Sequence, residues 1–300
     1  MPFTLSHAAA VLPAVRADGT GRGRLIPAVL VAGSFAPDMT YYAASAVSGA
    51  MEFGDVTHSF PGVFTVDVLV AWALVGLWLL LREPLVALLP RAWQPRPAAL
   101  LHCGAPRSRV RPSLVARWYA SAALGALTHV VWDAFTHLDR WGMRLFPVLG
   151  HKVDGFPLYW YLQYGGSAVA AGVIAVWVGW ALRRESAGVT STGGPVSAGP
   201  AGDGPTGVAL LSARDRWWVG ALIGGCAAVG AVQRATRWWA YWGSTAKPWE
   251  LIPTLCFGAG AGLVLGLLLY AVGVRMWRRP TPNAAEPEPV TADWGRPGRG

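Results

Sequence analysis

Val63-Phe64-Thr65-Val66-Asp67-Val68-Leu69-Val70-Ala71-Trp72-Ala73-Leu74-Val75-Gly76-Leu77-Trp78-Leu79-Leu80-Leu81 carries a single ionisable side chain, Asp67, and stops at Arg82. A helix needs about 20 largely apolar residues, at about 1.5 Å of rise each, to cross the hydrocarbon core of a bilayer. This run meets that length. Ser113–Phe135, Leu158–Leu182, Trp217–Gln233 and Leu251–Met276 read the same way, and Leu25–Ala50 is a further candidate interrupted by Gly33-Ser34 and Pro37-Asp38. Leu5–Val15 is too short to cross alone, and the basic, Gly-rich turn Arg16–Arg24 folds it back against the segment after Leu25. The expected fold is an all-α integral membrane protein of about six transmembrane helices plus a short N-terminal helical hairpin arm.

Composition agrees. Of 300 residues, 53% are hydrophobic and 14% charged, whereas a soluble domain carries about 25% charged residues. Charges at mid-bilayer cost several kcal/mol each, which accounts for the deficit. The 17 Trp residues suit the headgroup boundary, and the Tyr159-Trp160-Tyr161 and Trp238-Trp239-Ala240-Tyr241-Trp242 clusters read as interfacial anchors. The net charge of +9 sits in short runs between apolar segments, the mark of membrane topology and not of a nucleic-acid partner. Cys103, Cys226 and Cys256 form no CxxC pair, which argues against a disulfide framework or a thiolate metal site. No basic residue precedes the apolar part of Met1–Val15, so a cleaved signal peptide is not expected.

Arginine sets the expected orientation of this multi-pass protein in the cell membrane. The connection Arg82–Arg117 holds Arg82, Arg91, Arg96, Arg107, Arg109, Arg111 and Arg117 against Glu83, whereas Gly49–Pro61 holds Glu52 and Asp55 with no Lys or Arg. The first is expected in the cytoplasm and the second outside, with both termini cytoplasmic. Arg234, Arg237 and Lys247 then fall on the outer side, against the rule. The chain divides into four expected regions: a helical membrane domain over 1–184, a Gly/Ser/Thr/Pro/Ala-rich flexible linker over 185–207, a two-helix membrane hairpin over 208–279 and a disordered tail over 280–300.

Chemistry gathers toward the outer face. His129, Asp133 and His137 follow i, i+4, i+8 spacing, which puts two imidazoles and a carboxylate on one helical stripe as nitrogen and oxygen donors for a metal. Ionisable groups inside a membrane are functional by default. Asp38 follows Pro37, which removes a backbone donor and disfavours helix at Ala36; broken helix at membrane depth belongs in a protein-lined or wet cavity. His7 lies 14 residues before Gly21 and Asp38 17 after it, so the hairpin arm brings them to comparable depth, with Ser6 or Thr4 as cap. His58 precedes the Val63 span on the same face. Asp67, deeper in that span, is a candidate to orient an imidazole, and Gln163 lies just inside the next span. His151 and Asp154 fall in an interfacial loop and His102 in the solvated arginine loop.

Taken in order, Thr4-Leu5-Ser6-His7-Ala8-Ala9, Gly33-Ser34-Phe35-Ala36-Pro37-Asp38, Thr57-His58-Ser59 and Leu127-Thr128-His129 through Asp133-Ala134-Phe135-Thr136-His137 resemble an uncharacterised bacterial membrane family, domain of unknown function 4184. More distantly, they resemble the inner-membrane metal-dependent hydrolases of the YdjM type. The resemblance covers roughly residues 1–170, including Leu162-Gln163-Tyr164-Gly165-Gly166-Ser167, and leaves the last two spans outside. It implies a metal held by His7, Asp38, His58, His129 and Asp133. The distant hydrolases carry a His-Arg pair shortly before the Thr-His-Ser run, where this chain reads Glu52-Phe53-Gly54-Asp55-Val56. The expected activity is metal-dependent hydrolysis of a lipid or lipid-linked (phospho)ester at the outer face. Zn²⁺ suits the mixed donors, as do Mn²⁺ or Fe²⁺. Asp133 and His137 are the candidate catalytic pair, His137 as base or as a positioning partner of the ligands. The alternatives are an ion- or proton-coupled transporter and a non-catalytic scaffold with a structural metal.

Overall fold

A computed structural model describes residues 3–16, 18–103, 111–138, 140–188, 208, 210–245 and 251–277. The described chain is mostly helical, and its one sheet is a two-residue-per-strand hairpin, β1 (Lys152–Val153) and β2 (Phe156–Pro157). Its turn is Asp154-Gly155, both at positive φ (50° and 85°), as a tight two-residue hairpin turn requires.

Four helices are long and apolar enough to cross a membrane, over Val66–Ala87, Leu158–Arg184, Ala213–Thr245 and Leu251–Met276. The other two expected spans differ from these. Leu25–Ala50 is not one helix: it breaks into α2 (Pro27–Phe35), a 3-10 turn (Ala36–Asp38) and α3 (Met39–Ala43). The segment Ser113–Phe135 forms α8 (Pro112–Thr136), 25 residues long, but with His129 and Asp133 in its last turns. The N-terminal arm forms as expected. A 3-10 turn (Thr4–His7), α1 (Ala8–Val11) and a second 3-10 turn (Leu12–Ala14) run into an antiparallel bridge between Val15 and Gly21.

Between α3 and α8 the chain forms α4 (Gly54–Thr57), α5 (Phe60–Phe64), α6 (Val66–Ala87) and α7 (Pro95–Leu100). After α8 come α9 (Trp141–Leu145), α10 (Leu158–Gly188), α11 (Ala213–Trp242) and α12 (Leu251–Trp277). Helix α10 runs four residues into the stretch expected as a linker. The remainder of that linker, and the expected disordered tail, lie outside the described residues.

The core is a three-way packing of small and β-branched residues: Val29, Ala32 and Ala36, against Val68, Ala71 and Val75 of α6, against Ala122 and Ala123 of α8. Helices α2 and α8 touch backbone to backbone. A Cβ on Gly33 would collide with the Ala122 carbonyl, and one on Gly125 with the Leu30 carbonyl and the Ser34 N–H. Small residues permit such approach where apolar surface alone gives no driving force between helices in lipid. The last two helices repeat the device, with Gly230 against the Gly258 carbonyl and Gly262 against the Cys226 carbonyl.

The α11–α12 hairpin is held to the rest by polar bonds. Pro84 sits inside α6 and has no N–H for the Leu80 carbonyl. Arg275 Nη2 supplies the missing donor at 2.7 Å, and Tyr270 Oη donates to the Pro84 carbonyl at 3.0 Å. At the opposite end, Arg234 Nη1 donates to the Tyr41 carbonyl at 2.6 Å and to Ser45 Oγ at 2.9 Å. Arg237 Nη1 donates to the Ser45 carbonyl at 3.4 Å. These two arginines, which break the charge rule in the sequence, cap free carbonyls after the broken helix.

Candidate metal centre

Each motif delivers one donor through a local device. The α2–α8 seam brings His129 to the end of α2, where its Nδ1 donates to the Ser34 carbonyl at 2.7 Å. That bond fixes the proton on Nδ1 and leaves the Nε2 lone pair facing inward. His58 repeats the arrangement: its Nδ1 donates to the Gly54 carbonyl, one turn back, at 2.9 Å, so its Nε2 also faces inward as an acceptor. Thr57 Oγ1 ties this turn to the Asp38 turn by donating to the Pro37 carbonyl at 2.8 Å. Asp38 accepts from Thr4 Oγ1 at Oδ2, which leaves Oδ1 for the interior.

The four inward atoms face one another. His129 Nε2 stands 3.5 Å from Asp38 Oδ1 and 3.4 Å from Asp133 Oδ2; His58 Nε2 stands 3.5 Å and 3.7 Å from the same two oxygens. One donor atom from each of Asp38, His58, His129 and Asp133 lies within 4.8 Å of every other. Their residues are 3%, 8%, 0% and 4% exposed. A charge-assisted N–H···O bond would be about 2.7–2.9 Å long, and these separations exceed it. They match instead the edge of a tetrahedron, about 3.3–3.4 Å, drawn by ligands about 2.0–2.1 Å from a central ion. His129 Nε2 is buried and makes no hydrogen bond among the described residues. Two nitrogen lone pairs confronting two carboxylates in a buried pocket form a donor set that fits a divalent metal.

His7 is brought to the same place by the hairpin arm but stands beside this set of four. Its ring stacks on His129 with centroids 3.6 Å apart and planes 13° apart. Its Nε2 lies 3.5 Å from Oδ1 of Asp133, the oxygen turned away from the other donors. Thr4 and Ser6 do not cap the short helix as expected: Thr4 holds Asp38, and Ser6 Oγ donates to the Phe3 carbonyl.

His137 departs from the expected helical stripe. Helix α8 ends at Thr136, and His137 is extended (φ −128°). Its ring still reaches the centre, with Nδ1 3.5 Å from Asp133 Oδ2. Gln163 Nε2 donates to His137 Nε2 at 3.0 Å, so the ring proton sits on Nδ1, directed at the site. In this tautomer His137 presents an N–H hydrogen-bond donor to the site and its acceptor nitrogen to Gln163. Burial pushes its pKa down to about 4, which keeps the ring neutral. Burial also lowers the pKa of His58, but the Asp133 and Asp38 carboxylates beside it outweigh that and raise it.

Asp67 does not orient an imidazole. It is fully buried, and neither of its oxygens is hydrogen-bonded among the described residues; the Ser34 and Gly54 carbonyls orient the rings instead. His151 and Asp154 are exposed and outside the cluster, as is His102. The parts that spacing does not reveal are Thr57 and the two carbonyls. Thr57 lies within the Thr57-His58-Ser59 run, but nothing in one sequence names the carbonyl it bonds.

A family model described as domain of unknown function (DUF4184) matches residues 1–272. The chain belongs to the DUF4184 family. No curated protein and no solved structure matches it. The DUF4184 match takes in α11 and most of α12, so a resemblance confined to about residues 1–170 is too narrow. The hairpin carries no donor motif, yet its Arg234 grips the backbone three residues past Asp38.

Proposed function

We propose that this DUF4184 protein is a membrane-embedded metal-dependent hydrolase. Its metal would be held by Nε2 of His58 and His129 and one oxygen each of Asp38 and Asp133. The observation that carries the reading is the confrontation of two oriented Nε2 lone pairs with two carboxylates at tetrahedral-edge spacing. Zn²⁺ fits this donor set, and Mn²⁺ or Fe²⁺ would fit it too. A divalent ion in such a site lowers the pKa of bound water toward neutrality and polarises a carbonyl or phosphoryl oxygen. His137, with its proton on Nδ1 and its side chain 36% exposed, stands at the open edge as a neutral hydrogen-bond donor that would polarise and orient a substrate oxygen. Gln163 holds it there. Stacked on His129, His7 screens the opposite side from water and keeps the Asp133 carboxylate in place.

Exposed Phe53, Phe60 and Phe64 flank buried His58 along the chain, which favours a lipid or lipid-linked (phospho)ester as substrate. The arginine distribution favours cytoplasmic termini and a site near the outer face. In this arrangement α8 crosses the bilayer with the four apolar helices, and the α2–α3 segment lies within it. A second reading, a metal held for stability, has its own support in the near-complete burial of all four donors.

Metal analysis of purified protein, beside His129→Ala and Asp38→Ala, tests both readings. We expect about one metal per chain, lost in both variants. A panel of phospholipid and lipid-linked esters, assayed with and without chelator, then separates them: chelator-sensitive turnover supports hydrolysis, and metal without turnover supports the structural reading. Metal-free wild-type protein would end both.

A further inference from the structure

Away from the metal centre, the N-terminal turn and the end of α10 form a pocket of about 310 Å³ lined by Val15, Arg16, Asp18, Arg22, Trp180 and Arg184. Three arginines, Arg16, Arg22 and Arg184, line it. The carboxylate of Asp18 is engaged by Thr20, through its N–H at 2.9 Å and Oγ1 at 2.6 Å, so the lining keeps a surplus of two positive charges. Arg16 Nη1 donates to the Gly21 carbonyl at 2.7 Å, and Arg184 stacks over the Trp180 ring at 4.2 Å.

Trp180 also closes a second hollow of about 460 Å³, bounded by Gly172, Val173, Val176 and Trp177 on the same face of α10. The absent side chain of Gly172 and the two indoles bound it, and its walls are apolar. Val173, Val176 and Trp180 are 47%, 74% and 45% exposed, on a helix apolar enough to lie in a bilayer. From Gly172 to Trp180 the groove runs about 12 Å along the axis. A cationic pocket at the end of the apolar stretch thus adjoins a greasy groove along it, with Trp180 lining both.

We infer that this composite is a binding site for one anionic phospholipid, its phosphate among Arg16, Arg22 and Arg184 and an acyl chain along Gly172–Trp180. Charge complementarity selects the headgroup, since arginine forks match phosphate oxygens, and the adjoining apolar groove across Trp180 selects a lipid over a free anion. The bound lipid would join the N-terminal arm, which carries His7, to α10, which carries Gln163.

The test is native mass spectrometry of the full chain released from nanodiscs of equal parts dioleoylphosphatidylglycerol and dioleoylphosphatidylcholine. We expect retained phosphatidylglycerol in preference to phosphatidylcholine. The preference should fall about thirtyfold in Arg22→Gln/Arg184→Gln, at roughly fivefold per arginine near the surface. Gly172→Trp, which fills the groove and leaves every arginine, should also lose the lipid, so a misfolded double variant would not leave the matter open. Helicity and metal content serve as folding controls. Equal retention of the two lipids, or unchanged selectivity in both variants, would overturn the site in favour of ordinary bilayer lipid. Displacement of the lipid by millimolar inorganic phosphate, with Gly172→Trp unaffected, would overturn it in favour of a free-anion pocket.

Discussion

Helices α2 and α8 meet through Gly33 and Gly125, and α11 and α12 meet through Gly230, Gly258 and Gly262. The two seams use the same physics, close backbone approach at small residues. They differ in the side chains one helical turn past the glycines. Beyond Gly125 the next inward positions of α8 are His129 and Asp133, and the approach is tight enough for His129 to reach the Ser34 carbonyl. One turn beyond Gly230 lies Arg234, directed outward to the Tyr41 and Ser45 oxygens. Close packing is thus generic, and the side chain placed at the end of the seam decides whether it builds a site or a clamp.

Breaking the first seam should have the largest effect. Gly125→Leu drives a side chain into the Leu30 carbonyl, a clash costing about 1–3 kcal/mol or more, and carries His129 off the Ser34 carbonyl. Metal content of the purified variant should fall to background. Next comes Thr57→Val, which keeps the shape but removes the bond to the Pro37 carbonyl that aligns His58 with Asp38. Metal affinity should drop roughly 10–100-fold, as when outer hydrogen bonds of a metal site are lost, read by competition with a chelating dye.

A pH series sharpens the same contrast. His58 has a raised pKa, so in the metal-free protein its proton contributes stability that is present at low pH and lost as pH rises through that pKa. A metal competes with this proton, and affinity should fall as pH falls, about tenfold per unit for each proton displaced. The smallest effect belongs to the second seam. Gly262→Leu should lower the thermal midpoint of the hairpin yet change metal content by less than about twofold, since distant sites act independently. Loss of metal in that variant would show that the two seams are not separable.

The sequence was most legible where a single rule decides. Apolar length announced α6, α10, α11 and α12, and i, i+4 spacing put His129 beside Asp133. The hairpin-depth argument placed His7 near Asp38 across a turn. It was less legible where partners are backbone atoms or where an element ends. Gln163 was picked out, but its bond to His137 depends on α8 stopping at Thr136, one residue before the expected stripe would have ended. Asp67 was expected to orient a ring because it is polar and near; the acceptors proved to be the backbone carbonyls of Ser34 and Gly54. Arg234 and Arg237 looked like topological exceptions because charge counting does not see the carbonyls they cap.

X-ray absorption at the metal edge of purified wild-type protein bears most directly on the central claim. The account predicts a first shell of about four nitrogen and oxygen donors at roughly 2.0–2.1 Å, with imidazole scattering from two rings. A shell containing sulfur, or no metal at all in folded protein, would contradict it.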